Sequence, residues 1–338
     1  SLFCSPFLSV SLSPTVFADS CAIMSAQANC ARPILSMSPM DTIIQKYVFP
    51  FQFAVMAASV SILSYRLWRN QVRNVGRMTI CLLGIVQVLV FLSCLPHSLG
   101  AYKPFYGSES FRRFYYSSVM PNIGMSNLLS ALDSFLTVLA CYEFYSFAAD
   151  NAAKKFFATP RRLAFVYIAM VALAFILTSF AFFQHTVKTY FVCNGEVLRI
   201  RFEPTLPIAL VRLFQLIQAL FVVVIPAILV ALINRRLSNA ITYQTLPTEC
   251  KELIDTNQSS QSVYRLRFNI LLLSCFFVIP HVSSLVPFVA EHSYVSRYLL
   301  SFVIPISTSV LLWGKLLSFL LLHRVSSLLA SHGILQTL

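Results

Sequence analysis

Seven apolar blocks, each at least 21 residues long, constrain this chain more than any other feature. They run over 47–67, 78–99, 119–142, 163–183, 208–233, 268–290 and 298–322. A bilayer core about 30 Å thick is crossed by roughly 20 residues of helix. Backbone in hydrocarbon must satisfy its own hydrogen bonds, which leaves helices or closed barrels. Barrel strands need only about 10 residues with strict alternation, and these blocks are longer and uniformly apolar. The sequence therefore predicts an all-α membrane protein, a bundle of seven transmembrane helices.

Composition agrees. The chain is 57% apolar and only 11% charged, against about 25% charged in an ordinary soluble domain. That excludes a water-soluble enzyme. No G-x-S-x-G, G-x-G-x-x-G, P-loop or H-E-x-x-H motif occurs, and the six His are scattered with no i, i+4 pair. No catalytic residue, metal or cofactor is expected, and the chain is not read as an enzyme. The net charge of +13 would point to nucleic acid in a soluble protein. Here it reads as cationic loops beside an anionic leaflet, so the expected partner is the lipid bilayer and not nucleic acid.

The cations set the expected orientation. With the N-terminus outside, the inner loops and tail hold 15 of the 25 Lys and Arg, including Arg66, Arg69, Arg73 and Arg77 in the first inner loop and Lys315 and Arg324 at the end. This predicts an extracellular N-terminus and a cytoplasmic C-terminus in the plasma membrane. Residues 1–42 read as an extracellular tail, 43–325 as the transmembrane domain and 326–338 as a short cytoplasmic tail. Asn257-Gln258-Ser259, the one glycosylation triplet, then falls inside.

Ionisable and polar groups at membrane depth are costly, so each is a functional hypothesis. Asp133 lies mid-way along the third block. Arg212 lies about one turn into the fifth, with Gln215 and Gln218 following. Glu291 and His292 close the sixth block, and Arg297 and Tyr298 open the seventh. Asn127, Arg212, Gln215, His281, Glu291 and Arg297 form a candidate ring for a peptide. Arginine would meet a carboxylate or carbonyl, and glutamate a basic residue. The plainer alternatives are headgroup anchoring for Arg297, Tyr298 and Arg212, an interhelical hydrogen bond for Asn127, and packing for His281. Pro226 and Pro280 kink the fifth and sixth helices and supply bendable elements.

Several ordered pieces carry a resemblance. Tyr47-Val48-Phe49-Pro50 opens helix one, Leu95-Pro96 stands near the outer end of helix two, and Met120-Pro121-Asn122 opens helix three. Glu143-Phe144-Tyr145 ends helix three, and Thr159-Pro160-Arg161-Arg162 leads into helix four. Cys193 precedes Glu203-Pro204-Thr205-Leu206, Ile225-Pro226 and Asn234-Arg235-Arg236, and Pro280 follows Cys275. In this order they resemble rhodopsin-like G-protein-coupled receptors, particularly invertebrate FMRFamide-type peptide receptors, over about 47–330. The resemblance implies an extracellular peptide or small ligand, a heterotrimeric G protein, and signalling by movement of helices five and six. It makes Glu143, Phe144, Tyr145, Arg235 and Arg236 the G-protein-facing switch, although positive-inside anchoring also explains the two arginines. It also implies an inner polar pocket of the kind that holds sodium. Matching Pro96 puts Gln87 at the pocket's helix-two acid position, and counting back from the triplet puts Asp133 opposite. The pair would hold Na⁺ or share a proton; the plainer reading is a protonated Asp133 bonded to any polar neighbour.

Departures accompany the likeness. Phe144 replaces the family's helix-three arginine, Val278 its helix-six tryptophan, and no Asn-Pro-x-x-Tyr stands in 307–315. Cys193 lacks its customary helix-three partner, leaving a pairing with Cys21 or Cys30, or a free thiol. Two alternatives follow: a receptor-shaped protein without G-protein signalling, and a seven-span transporter or channel component.

Overall fold

The computed structural model describes residues 38–69, 76–149, 159–192, 197–245, 256–286 and 297–331. Seven helices among them are long and apolar enough to cross a membrane, and they form a seven-transmembrane bundle. Helix α1 joins Pro39–Ile43, a π-turn at Ile44–Val48 and Phe49–Arg69. Then come α2 (Arg77–Leu99), α3 (Glu109–Ala148), α4 (Pro160–Thr178, prolonged by Phe180–Phe183), α5, α6 (Thr256–Ser283) and α7 (Arg297–Ser331). Helix α5 joins Ile208–Gln218, a π-turn at Ala219–Val224 and Ile225–Thr245.

Helices α3 and α7 overrun their apolar blocks at both ends, α3 to 40 residues and α7 to 35. At about 1.5 Å per residue α3 spans roughly 60 Å, twice a bilayer core. Ser108 caps its start by accepting from Phe111 N, and Ser38 caps α1 by accepting from Asp41 N. Gly76, with φ 73°, turns the chain into α2 through the left-handed region, a conformation that glycine adopts without Cβ strain.

Helix α3 is the axis of the bundle. It is the most buried span, packs on α2, α4, α5 and α7, and meets α6 through a hydrogen bond between Ser134 and His281. Helix α4 is the least buried, and its Phe165, Ile168, Phe175 and Ile176 are exposed. This apolar face is what a bilayer covers.

The α4–α5 connection carries a feature absent from the sequence reading. Strands β1 (His185–Val192) and β2 (Val197–Pro204) pair antiparallel, with Lys188 opposite Arg201 and Thr186 opposite Glu203. Their β-branched and aromatic residues favour strand, and Lys188 reaches diagonally to Glu203 at 2.6 Å. Strand β1 lies against α3. The bundle thus has a hairpin end, where α1, α3, α5 and α7 begin, and an opposite end.

Both kink prolines are accommodated locally. The ring of Pro226 would clash with the carbonyl four residues back. The π-turn lies directly before it, with Ile225 N–H reaching Leu220 O. Pro280 leaves Phe276 O without its helical donor, and Gly314 of α7 lies against both, since a Cβ at 314 would sit 2.3 Å from Pro280 Cγ and 3.0 Å from Phe276 O.

Candidate functional site

The most unusual chemistry in the bundle is a charged pair inside it. Two glycines bring the helices close enough to form it. Gly84 of α2 lies against Phe319 of α7 and Val60 of α1, which draws Gln87, one turn further along α2, towards α7. Gly314 draws α7 onto α6, and Lys315 follows it in the chain. Lys315 Nζ donates to Asp133 Oδ2 of α3. Gln87 Nε2 donates to Asp133 Oδ1 at 2.8 Å and to the Lys315 carbonyl at 3.2 Å. Gln87, Asp133 and Lys315 are each no more than 2% exposed.

The two side chains expected to face one pocket, Gln87 and Asp133, therefore touch, and a third residue completes the site. Lys315 was assigned to the inner cations from sequence; the structure moves it into the bundle. Its signal was available, since a lone lysine within an apolar block is expensive unless paired. An isolated buried carboxylate or ammonium costs several kcal/mol even after relaxation, and mutual pairing offsets that. The pair also bears on the sodium implied by resemblance. One carboxylate already bonded to an ammonium has no net charge to offer a metal ion. The arrangement does not fit a mobile cation.

Around this centre lie other polar groups. His281 Nδ1 faces Phe277 O at 2.7 Å. A carbonyl can only accept, so Nδ1 carries the proton and Nε2 faces Ser134 Oγ at 3.2 Å as an acceptor. Towards the hairpin end, Asn127 is fully buried, and neither side-chain atom has a partner among the described residues. Gln218 of α5 and Gln184, just before β1, share that condition. Gln215 is half-buried and Arg212 exposed: the inward face of α5 runs through Gln218, Val222 and Val223, with Arg212 beside it. Arg297 begins α7. Its side chain, with Glu291 and Cys193, lies outside what is described.

At the hairpin end a second cluster escaped the sequence reading. His97 Nε2 donates to Asp41 Oδ2 at 3.1 Å, and Tyr115 hydroxyl meets His97 Nδ1 at 3.0 Å. Gln45 Nε2 donates to the other Asp41 oxygen at 3.3 Å, and Ser98 Oγ to Gln45 O at 2.7 Å. All five are buried. They tie α1, α2 and α3 together. No spacing announces them, because Asp41 precedes the first apolar block.

The opposite end holds the Glu143-Phe144-Tyr145 triplet. Thr79 Oγ1 of α2 donates to Glu143 Oε1 at 2.8 Å, and Tyr167 hydroxyl of α4 lies 2.8 Å from the same Thr79 oxygen. Thr79 has one proton, so Tyr167 donates to it. Glu143 Oε2 has no partner among the described residues. Phe144 is fully buried in the cluster with Leu237, Ile241, Leu266 and Val325. Tyr145 is half-buried, while Arg235 and Arg236 are exposed. Asn234 Nδ2 donates to Ser274 Oγ at 2.9 Å, linking α5 to α6.

This geometry is that of a helix bundle with polar links at three depths. Comparison with known proteins points the same way. The chain is similar to a Caenorhabditis elegans protein named "Putative G-protein coupled receptor". The two are 25% identical over 330 residues, which cover 90% of this chain and 75% of that one. No family model matches. The seven-helix bundle is that of a multi-pass membrane protein, and along most of its length the chain is similar to this receptor-named relative.

Proposed function

We propose that the chain is a receptor of the G-protein-coupled type, with the hairpin end extracellular and the opposite end cytoplasmic in the plasma membrane. It binds a short peptide at the hairpin end and signals by movement of α5 and α6. The observation that carries this reading is a receptor likeness running along 90% of the chain on a bundle of seven membrane-spanning helices. The unpartnered amides of Asn127 and Gln218 support a ligand site between α3 and α5, because buried polar groups are normally satisfied. A ligand's backbone would satisfy them. His281 and Gln215 flank that region, and Arg212, Glu291 and Arg297 would meet the charged ends of the peptide. The π-turn before Pro226 and the kink at Pro280 give α5 and α6 room to change shape. A ligand that binds one arrangement better shifts the population towards it.

The test is ligand-dependent G-protein activation in cells expressing the full chain, screened with amidated short peptides. A responding peptide should lose potency at Asn127→Ala and Gln218→Ala. Glycosylation at Asn257 in cells would reverse the proposed orientation.

A second reading is favoured by Phe144. Where the resemblance expects an arginine, an aromatic ring is packed among apolar side chains and has no donor to offer a G protein. A receptor-shaped protein that binds without G-protein signalling fits that residue. Peptide binding without G-protein activation would select it.

A further inference from the structure

We propose that Lys315 is a built-in monovalent cation: its ammonium holds α3 to α7 and makes the bundle indifferent to sodium. The argument starts from charge. Asp133 is bonded to Lys315 through Oδ2 and to Gln87 through Oδ1, so the cluster is neutral and both carboxylate oxygens are engaged. Adding a sodium ion would leave one uncompensated positive charge in a low-dielectric interior, beside an ammonium that repels it.

The surroundings are nevertheless those of a cation site. Gln87 Oε1, Ser130 Oγ and Ser318 Oγ are buried oxygens with no hydrogen-bond partner among the described residues. Ser130 lies one turn before Asp133 on α3, and Ser318 one turn after Lys315 on α7. Gln87 already touches both charged residues. With Asp133, these supply oxygen donors from three helices. Hard monovalent and divalent cations are held by such oxygens. The chain has filled this place with a side chain that cannot dissociate. Shortening Lys315 should therefore open a sodium site that the native protein does not offer.

The experiment needs neither ligand nor G protein, so it stands or falls apart from the signalling reading. The full chain is purified in detergent, and its thermal unfolding is followed in sodium chloride and in choline chloride at equal concentration. The native protein should unfold at the same temperature in both. Lys315→Ala should unfold more than about 5 °C lower in choline chloride, and sodium should restore part of that loss saturably. Asp133→Asn added to Lys315→Ala should abolish the sodium response. It should also unfold higher than Lys315→Ala does in choline chloride, because no orphan charge remains. A saturable, sodium-specific rise in the native protein overturns the proposal. So does a Lys315→Ala variant as stable as the native chain, or one that is destabilised and unresponsive to sodium. Where Lys315→Ala does not fold, the double variant decides: recovery of folding supports the buried pair, and equal failure overturns it.

Discussion

Gly314→Ala is the most demanding test of how α6 and α7 meet. A Cβ at 314 would lie 2.3 Å from Pro280 Cγ, 2.4 Å from Pro280 Cβ and 3.0 Å from Phe276 O. Ordinary contact begins near 3.4 Å, so the helices must part by about 1 Å. A proline ring and a carbonyl have no rotamer into which to retreat. Overpacking of this kind costs about 1–3 kcal/mol, and the rigid partners place it near the upper figure. Against it stands the gain of replacing glycine by alanine within a helix, about 1 kcal/mol. The net loss is about 2 kcal/mol, a fall of roughly 5 °C in unfolding temperature. Gly84→Ala is the internal control. There the neighbours are the Phe319 ring at 3.1 and 3.2 Å and Val60 Cγ1 at 3.3 Å. Both are side chains that give by a few tenths of an ångström, so the same helix gain leaves the change near neutral. Detergent-purified variants compared by thermal unfolding decide it. A Gly314→Ala variant as stable as the native protein, or two glycine variants that fall equally, refutes the close approach of α7 to the Pro280 kink.

Other outcomes follow from the polar links. Thr79→Val removes the donor to Glu143 and strands its carboxylate, which should destabilise the protein by about 1–3 kcal/mol; thermal unfolding reads the loss, and the Tyr167→Phe variant should lose less because Glu143 keeps its partner. His97→Phe keeps the ring volume but leaves Asp41 and Tyr115 without it, and should lower unfolding temperature to a similar degree. Gln218→Leu replaces an unpartnered buried amide by an apolar side chain and should raise stability by about 1 kcal/mol while abolishing the response to a peptide; loss of stability instead would mean that Gln218 has a partner in the resting protein. Phe144→Arg should lower unfolding temperature, because it places a charge in the Leu237, Ile241 and Leu266 cluster; a variant as stable as the native chain refutes that packing.

What the sequence could and could not announce follows from the range of each interaction. The seven spans were legible because membrane burial acts on 20 residues at once, so a window of composition finds them. Helix ends were not, since α3 begins at Glu109 and α7 runs to Ser331, well into polar sequence where helix persists outside hydrocarbon. The β1–β2 hairpin was hidden in a stretch read only as a connection, although Thr186, Val187, Thr189, Tyr190 and Phe191 are strand-favouring. Gln87 and Asp133 were placed opposite one another by counting from Pro96 and the Glu143 triplet. Lys315 was not placed with them, because charge counting put it among the inner cations although it lies within the seventh block. The His97 cluster joins residues 18 and 56 positions apart, and no local pattern encodes such a meeting. Arg212 illustrates the converse: spacing put it with Gln215 and Gln218, and in the structure it is exposed while Gln218 is buried.

The Asp133–Lys315 pair also has a consequence in time. Its members are 182 residues apart, with the acid on α3 and the base on α7. At synthesis rates of about 5–20 residues per second, Asp133 enters the membrane roughly 10–40 s before its counter-charge exists. Throughout that interval α3 carries an unmatched acid, and the bundle cannot settle around it. Arrival of α7 supplies the counter-charge. A chain cut short before Lys315 would carry a permanent flaw at its axis, visible to the machinery that removes unfinished membrane proteins.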